Sequence, residues 1–145
     1  MKIVFVCTGN TCRSPMAEAI LASKEIAGIE VRSAGVFAGS SPISENAGAV
    51  LENQGIEFEH TSRSLMPEDL EWADIVLTMT LSHKQLILQQ HREAADKIFT
   101  LKEYVTGIPK DVSDPYGGSY SLYQKTFDEL RDLIGRLEQK LLQEK

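Results

Sequence analysis

The sequence predicts an α/β protein, a single domain built on a four-stranded parallel sheet with helices on both faces. Three observations carry this prediction. Short β-branched and aromatic runs alternate with longer segments of helical period along the whole chain. The opening run, Ile3-Val4-Phe5-Val6, ends in a cysteine and a small-residue loop that leads straight into a helical pattern. Near the carboxyl end, Tyr123, Phe127, Leu130, Ile134, Leu137 and Leu141 recur at steps of four and three, so one stripe of a long helix packs on the sheet.

The elements follow in order. Lys2 to Cys7 reads as a buried strand, with a glycine just beyond it. Ser14 to Ala27 reads as a helix: Ser14 can cap, Pro15 suits the first turn and Gly28 stops it. Glu30 to Ser33 is a short strand, followed by a small-residue loop from Ala34 to Ser41. Ser44 to Gln54 is a helix ended by Gly55. A helical turn from Pro67 to Trp72 precedes a strand from Asp74 to Met79. Leu81 to Gln90 is helical, Lys97 to Leu101 is a strand, and Gly107 to Gly118 is a loop rich in Gly, Pro and Asp. Four strands separated by helices pair in parallel through right-handed crossovers. Ligands in such sheets sit beyond the carboxyl ends of the strands, which is where Cys7 falls.

The chain has 145 residues and shows no repeat, linker or low-complexity stretch, so residues 1–145 read as one domain. Its 42% hydrophobic and 25% charged content is that of an ordinary soluble protein. The apolar residues at the amino end are too few for a secretory signal, and no run reaches membrane-spanning length. A cytoplasmic protein with both cysteines as thiols is therefore expected, with no membrane partner. The formal charge of −6, from 21 acidic and 15 basic residues without a basic run, argues against nucleic acid as a partner. An anionic ligand must be drawn by a small local site.

The loop from Cys7 to Arg13 has the parts of such a site. It enters a helix amino terminus, where unpaired N–H groups and the helix dipole favour an anion. Thr8, Gly9, Asn10 and Thr11 are small or tolerate left-handed backbone, so successive N–H groups can turn inward. Arg13 adds a planar fork of donors that matches two phosphate oxygens. Thr8, Gly9, Asn10, Thr11, Cys12, Arg13 and Ser14 together form the expected phosphate cradle.

Cys7 turns binding into reaction. The positive cradle favours its thiolate, the Ser14 hydroxyl is placed to hydrogen-bond it, and a thiolate under a phosphate can attack phosphorus. The plainer alternative makes Cys7 a small buried residue and Arg13 a surface residue. A cation at a helix amino end opposes the dipole, which counts against that alternative. A nucleotide-binding P-loop is excluded, because no Gly-Lys-Ser/Thr follows the glycine.

A proton donor is needed for the leaving group, and Asp114, in Asp114-Pro115, is the best-placed carboxylate, with Asp111 behind it. The plain alternative is that Asp-Pro is merely a turn dipeptide. Cys12 either packs within the loop or acts as a resolving thiol that captures oxidised Cys7. His60, His83 and His91 show no metal-ligand spacing with the cysteines and read as surface or core-edge residues; no metal or other cofactor is expected.

The segment Val6-Cys7-Thr8-Gly9-Asn10-Thr11-Cys12-Arg13-Ser14-Pro15-Met16-Ala17-Glu18 resembles the signature of the low-molecular-weight protein tyrosine phosphatases, most closely their bacterial protein-arginine phosphatase branch. Segments similar to family counterparts continue along the chain: RSAG at 32–35, ADIVLTMT at 73–80 and DVSDPYGGS at 111–119. The resemblance implies a metal-free enzyme that acts on phosphorylated proteins through a phosphocysteine, with its general acid at Asp114. It also implies a protective disulfide role for Cys12, since loop cysteines play that part in the family. The chain lacks the further downstream cysteines of related arsenate reductases.

Within the family, tyrosine phosphatases usually carry isoleucine where Thr11 stands, and the arginine branch carries threonine. Tyrosine-specific relatives also often place a second aromatic at the position of Gly117. Phe37 and Tyr116 either wall the leaving-group slot or are simply core-edge aromatics. The expected function is therefore hydrolysis of phosphoarginine on proteins. The rivals are phosphotyrosine hydrolysis and, without turnover, a phosphate-binding or thiol redox-sensing module. Ser14 and Asp114 argue for turnover, since a receptor needs neither.

Overall fold

In the computed structural model, which describes residues 1–143, β1 (Lys2–Cys7) lies inside the sheet rather than at its edge. Around it come α1 (Arg13–Ser23), β2 (Glu30–Gly35), α2 (Glu45–Asn53), α3 (Pro67–Trp72) and β3 (Ile75–Thr78). Next are α4 (Leu81–Gln90), a 3-10 turn at Arg92–Lys97, β4 (Ile98–Thr100), α5 (Leu101–Thr106) and α6 (Tyr120–Gln143). The strand order is β2-β1-β3-β4 and every pair is parallel.

Because successive residues of a strand face opposite sides, β1 feeds two cores. Ile3, Phe5 and Cys7 join the larger core with α1, α2, α5 and α6. Val4 and Val6 join the smaller one with Leu70 of α3 and Ile87 of α4. Helices therefore cover both faces of a four-stranded parallel sheet, as the alternating pattern predicts. All six stripe residues of α6 are buried in the larger core. Each large apolar side chain buried there is worth about 1.5–3 kcal/mol against exposure.

Several boundaries move. The first helix ends at Ser23 instead of Ala27, because Glu25 already adopts a left-handed backbone with φ 48° before Gly28 is reached. The second strand runs on to Gly35, which pairs with Cys7. The third and fourth strands are shorter than expected, Ile75–Thr78 and Ile98–Thr100. Helix α5 was not expected at all. Thr100 ends β4 and starts α5 through a capping box, in which the Thr100 side chain accepts from Glu103 N and the Glu103 side chain accepts from Thr100 N. Gly107, left-handed at φ 81°, ends that helix.

The chain passes from β2, on one side of β1, to β3 on the other. The loop after β1 therefore lies at the topological switch point of the sheet, the crevice where such folds place ligands. No helix among the described residues is long and apolar enough to cross a membrane.

Candidate active site

Asn10 is the hub of the loop between β1 and α1. It is fully buried and left-handed at φ 57°, a backbone that asparagine tolerates better than most residues. Its Nδ2 donates to Ser14 Oγ and to Ser33 Oγ, both at 2.9 Å, and its Oδ1 accepts from Arg63 N at 3.0 Å. His60 Nε2 donates to the Asn10 carbonyl at 2.7 Å.

These bonds set proton directions. Ser14 Oγ accepts from Asn10, so its own proton is free for Cys7 Sγ, 2.8 Å away. Ser33 likewise accepts from Asn10 and donates to Glu18 Oε1 at 2.5 Å. Burial pushes the Glu18 carboxyl above its ordinary range, with the Ser33 bond and the charges of His60 and Arg63 pulling back. The result is a hydrogen-bonded chain from Glu18 to the sulfur, all behind the loop.

The loop backbone is pinned as well. Val36 N donates to Cys7 O, Phe37 N to Thr8 O and Ser44 N to Thr11 O, at 2.9–3.0 Å. Gly35 is required at this crossing. A Cβ there would lie 2.5 Å from Thr8 O and 3.1 Å from Asn10 N, both of them backbone atoms.

In front of the loop is a cavity of about 300 Å³, lined by Cys7, Thr8, Gly9, Thr11, Cys12, Arg13, Asp114 and Tyr116. Cys12 is the N-cap of α1, and no side chain caps that end, so the first helical N–H groups remain available to an anion. Arg13 opens the helix and is buried. Its Nη1 donates to Val112 O at 3.1 Å, and its Nη2 lies 3.6 Å from Asp114 Oδ2. The same guanidinium thus faces the cavity and holds the loop that carries the acid.

Asp111 and Asp114 separate cleanly. Asp111 Oδ1 accepts from Leu81 N at 2.8 Å and ties the loop to the amino end of α4. Buried Val112 adds a second anchor through its N–H to Met79 O at 2.8 Å. Asp114 lies beyond both anchors, 56% exposed, with Oδ1 accepting from Tyr116 N at 3.0 Å. Only Asp114 of the two lines the cavity.

Other expectations need correction. Phe37 does not wall the cavity: the residue is 74% exposed and absent from the lining, and only its backbone meets the loop. Tyr116 does line it, 80% exposed at the rim. The side chains of Asn10 and Ser14 are buried behind the cavity, and Ser14 meets Cys7 as the sequence predicts. Of the two expected places, surface or core edge, His83 takes the second, being 6% exposed with Nε2 2.8 Å from Thr8 Oγ1. The network of Ser33, Glu18, His60 and Arg63 leaves no mark in the sequence pattern. A half-buried glutamate three residues after Pro15 on α1 leaves no periodic signal of its partners.

Cys12 Sγ donates to Ser44 Oγ at 3.5 Å and lies 3.3 Å from Tyr123 OH. Burial, with the bond to Cys12, pushes the Tyr123 phenol up to about 12. Cys7 and Cys12 are both free thiols.

Comparison with known proteins follows the same line. Residues 2–145 match the family model described as low molecular weight phosphotyrosine protein phosphatase. The chain is 51% identical over 141 residues to a protein-arginine-phosphatase of Geobacillus stearothermophilus, covering 97% of this chain and 95% of that one. A solved structure of an arginine phosphatase from Geobacillus stearothermophilus superposes with a TM-score of 0.97 at 50% identity, over 99% of this chain and 94% of the other. A second solved arginine phosphatase is a cysteine-to-serine mutant with a phosphorylated active-site serine. It gives a TM-score of 0.94 at 49% identity, over 97% of this chain and 95% of that one.

Proposed function

Because the chain belongs to the low-molecular-weight phosphotyrosine protein phosphatase family, we propose that its cavity hydrolyses phosphoarginine on proteins, with Cys7 as nucleophile, Arg13 as phosphate clamp and Asp114 as general acid. The observation that carries this reading is the placement of Cys7 Sγ. It lines the cavity, is hydrogen-bonded by Ser14 at 2.8 Å, and shares the cavity with the Arg13 guanidinium and the Asp114 carboxyl.

The chemistry runs in two displacements. The Cys7 thiolate attacks phosphorus and the P–N bond breaks. The departing guanidine nitrogen keeps that electron pair and takes the Asp114 proton. Arg13 and the amino end of α1 hold the equatorial oxygens, which is most of what phosphoryl transfer asks of a protein. Water then attacks phosphocysteine, Asp114 takes the water proton, the P–S bond breaks and the thiolate returns with inorganic phosphate. No step needs a metal. The proposed setting is the cytoplasm.

Thr11 lines the cavity beside Cys7, and it supports arginine as the leaving group. Threonine in place of a larger aliphatic leaves room for a planar guanidinium and adds a hydroxyl able to orient the attacking water. The native protein should prefer phosphoarginine. Thr11→Ile should lower that activity by roughly 10–200-fold, the range expected for a one-branch change in a pocket, while keeping or gaining phosphotyrosine cleavage. Unchanged selectivity in this variant, read as kcat/KM on matched peptides, would remove Thr11 from the choice of substrate.

The same site carries a redox proposal. Peroxide converts the Cys7 thiolate to a sulfenic acid, the Cys12 thiol attacks that sulfur, and water leaves with formation of a Cys7–Cys12 disulfide. Thiol treatment then restores activity. Inactivation of Cys12→Ala should be slower to reverse than that of the native protein. Mass spectrometry showing only sulfinic acid at Cys7 of the native protein would sink the proposal.

A further inference from the structure

His83 sits in the first turn of α4, where its N–H is held at 3.1 Å by the hydroxyl of the N-cap Thr80. That bond and the packing below fix a nearly buried ring. Nε2 meets Thr8 Oγ1 at 2.8 Å, while Nδ1 is the buried side-chain polar atom that has no hydrogen-bond partner among the described residues. The charges of Arg13 on α1 and of Asp111 and Asp114 on the acid loop act on the ring. Burial first, then the Arg13 charge, push its pKa down to about 4 against the weaker pull of the two carboxylates, so the ring is neutral at neutral pH.

A neutral imidazole carries one N–H and one lone pair. With the proton on Nδ1, a buried donor would be left unpaired, the costlier kind of orphan. With the proton on Nε2, the ring donates to Thr8 Oγ1 and leaves only a lone pair unmatched. The Thr8 hydroxyl, having accepted from His83, has a single proton left to give. Thr8 lines the cavity beside Cys7 and Arg13, where a phosphoryl oxygen would accept it.

We propose that His83 is a positioning residue: it fixes the Thr8 hydroxyl as a donor aimed at the bound phosphoryl group. This rests on the reading of the cavity as a phosphoryl site. A donor held in place before the substrate arrives needs no reorganisation during reaction, whereas a free hydroxyl would also turn toward water.

The test uses inorganic phosphate as a competitive inhibitor of p-nitrophenyl phosphate hydrolysis by the full chain, with kcat measured alongside. His83→Leu and Thr8→Val should each weaken phosphate inhibition by about tenfold, as for loss of one bond to a charged acceptor. The double variant should be no weaker than either single one. His83→Gln, whose amide nitrogen reaches the place of Nε2, should recover most of the loss. His83→Asn, whose amide reaches only as far as Nδ1, should not. Thr8 is exposed, so Thr8→Val answers the question even if His83→Leu unfolds the chain. Unchanged phosphate affinity in Thr8→Val, additive losses in the double variant, or equal behaviour of the Gln and Asn variants would overturn the proposal. If the native protein neither bound phosphate nor hydrolysed the ester, the phosphoryl-site reading itself would fall, and this proposal with it.

Discussion

Cys7→Ser is expected to abolish turnover while leaving the protein folded and able to bind phosphate. The change replaces sulfur by a smaller oxygen at a site packed within the larger core, and the Ser14 and Asn10 bonds behind it persist. What disappears is the thiolate: a serine hydroxyl attacks far more weakly and, once phosphorylated, is a far poorer leaving group, so turnover stops. Loss of a nucleophile from a concerted site typically costs on the order of 10⁵-fold or more in kcat. Phosphate release from p-nitrophenyl phosphate measures it. Residual turnover within about tenfold of native would remove Cys7 from the chemistry, since that is less than one well-placed catalytic group supplies.

Asp114→Asn is expected to separate substrates by their leaving groups. The guanidinium of arginine holds its proton above pH 12 or so, against about 10 for a phenol, so phosphoarginine cleavage depends heavily on a proton donor. Activity on a phosphoarginine peptide should fall by roughly 10²–10⁴-fold, the usual scale of general acid catalysis. Hydrolysis of p-nitrophenyl phosphate, whose leaving group departs readily as an anion, should fall far less. The 3.6 Å pairing of Asp114 with Arg13 is half in solvent and contributes little to stability, so thermal unfolding should barely move. Equal losses on both substrates would make Asp114 structural.

Most of the fold was legible because it rests on periodicity. The apolar run of β1 and the stripe of α6 are local signals, and both hold. The α5 helix is legible too: Thr100-Leu101-Lys102-Glu103 spells a capping box, though the preceding strand overlaps its first residue in sequence pattern. Of the site, the residues gathered on one loop could be read together, because strand, turn and helix fix them without long-range information. Asp114 required a loop reached a hundred residues later to fold back over that point.

The supporting groups were not legible. His83 contacts Thr8 from 75 positions away, and His60 reaches Asn10 from 50 away, so nothing in their local spelling marks them. Phe37 failed for a related reason. Its own N–H binds the loop, and backbone contact says nothing about where a ring points.

The central claim is that this cavity takes phosphate from arginine. The most direct measurement is phosphate release by the native protein from two peptides of identical sequence, one carrying phosphoarginine and the other phosphotyrosine, compared as kcat/KM. A clear preference for the phosphoarginine peptide is predicted. Equal rates, or faster release from phosphotyrosine, would contradict it.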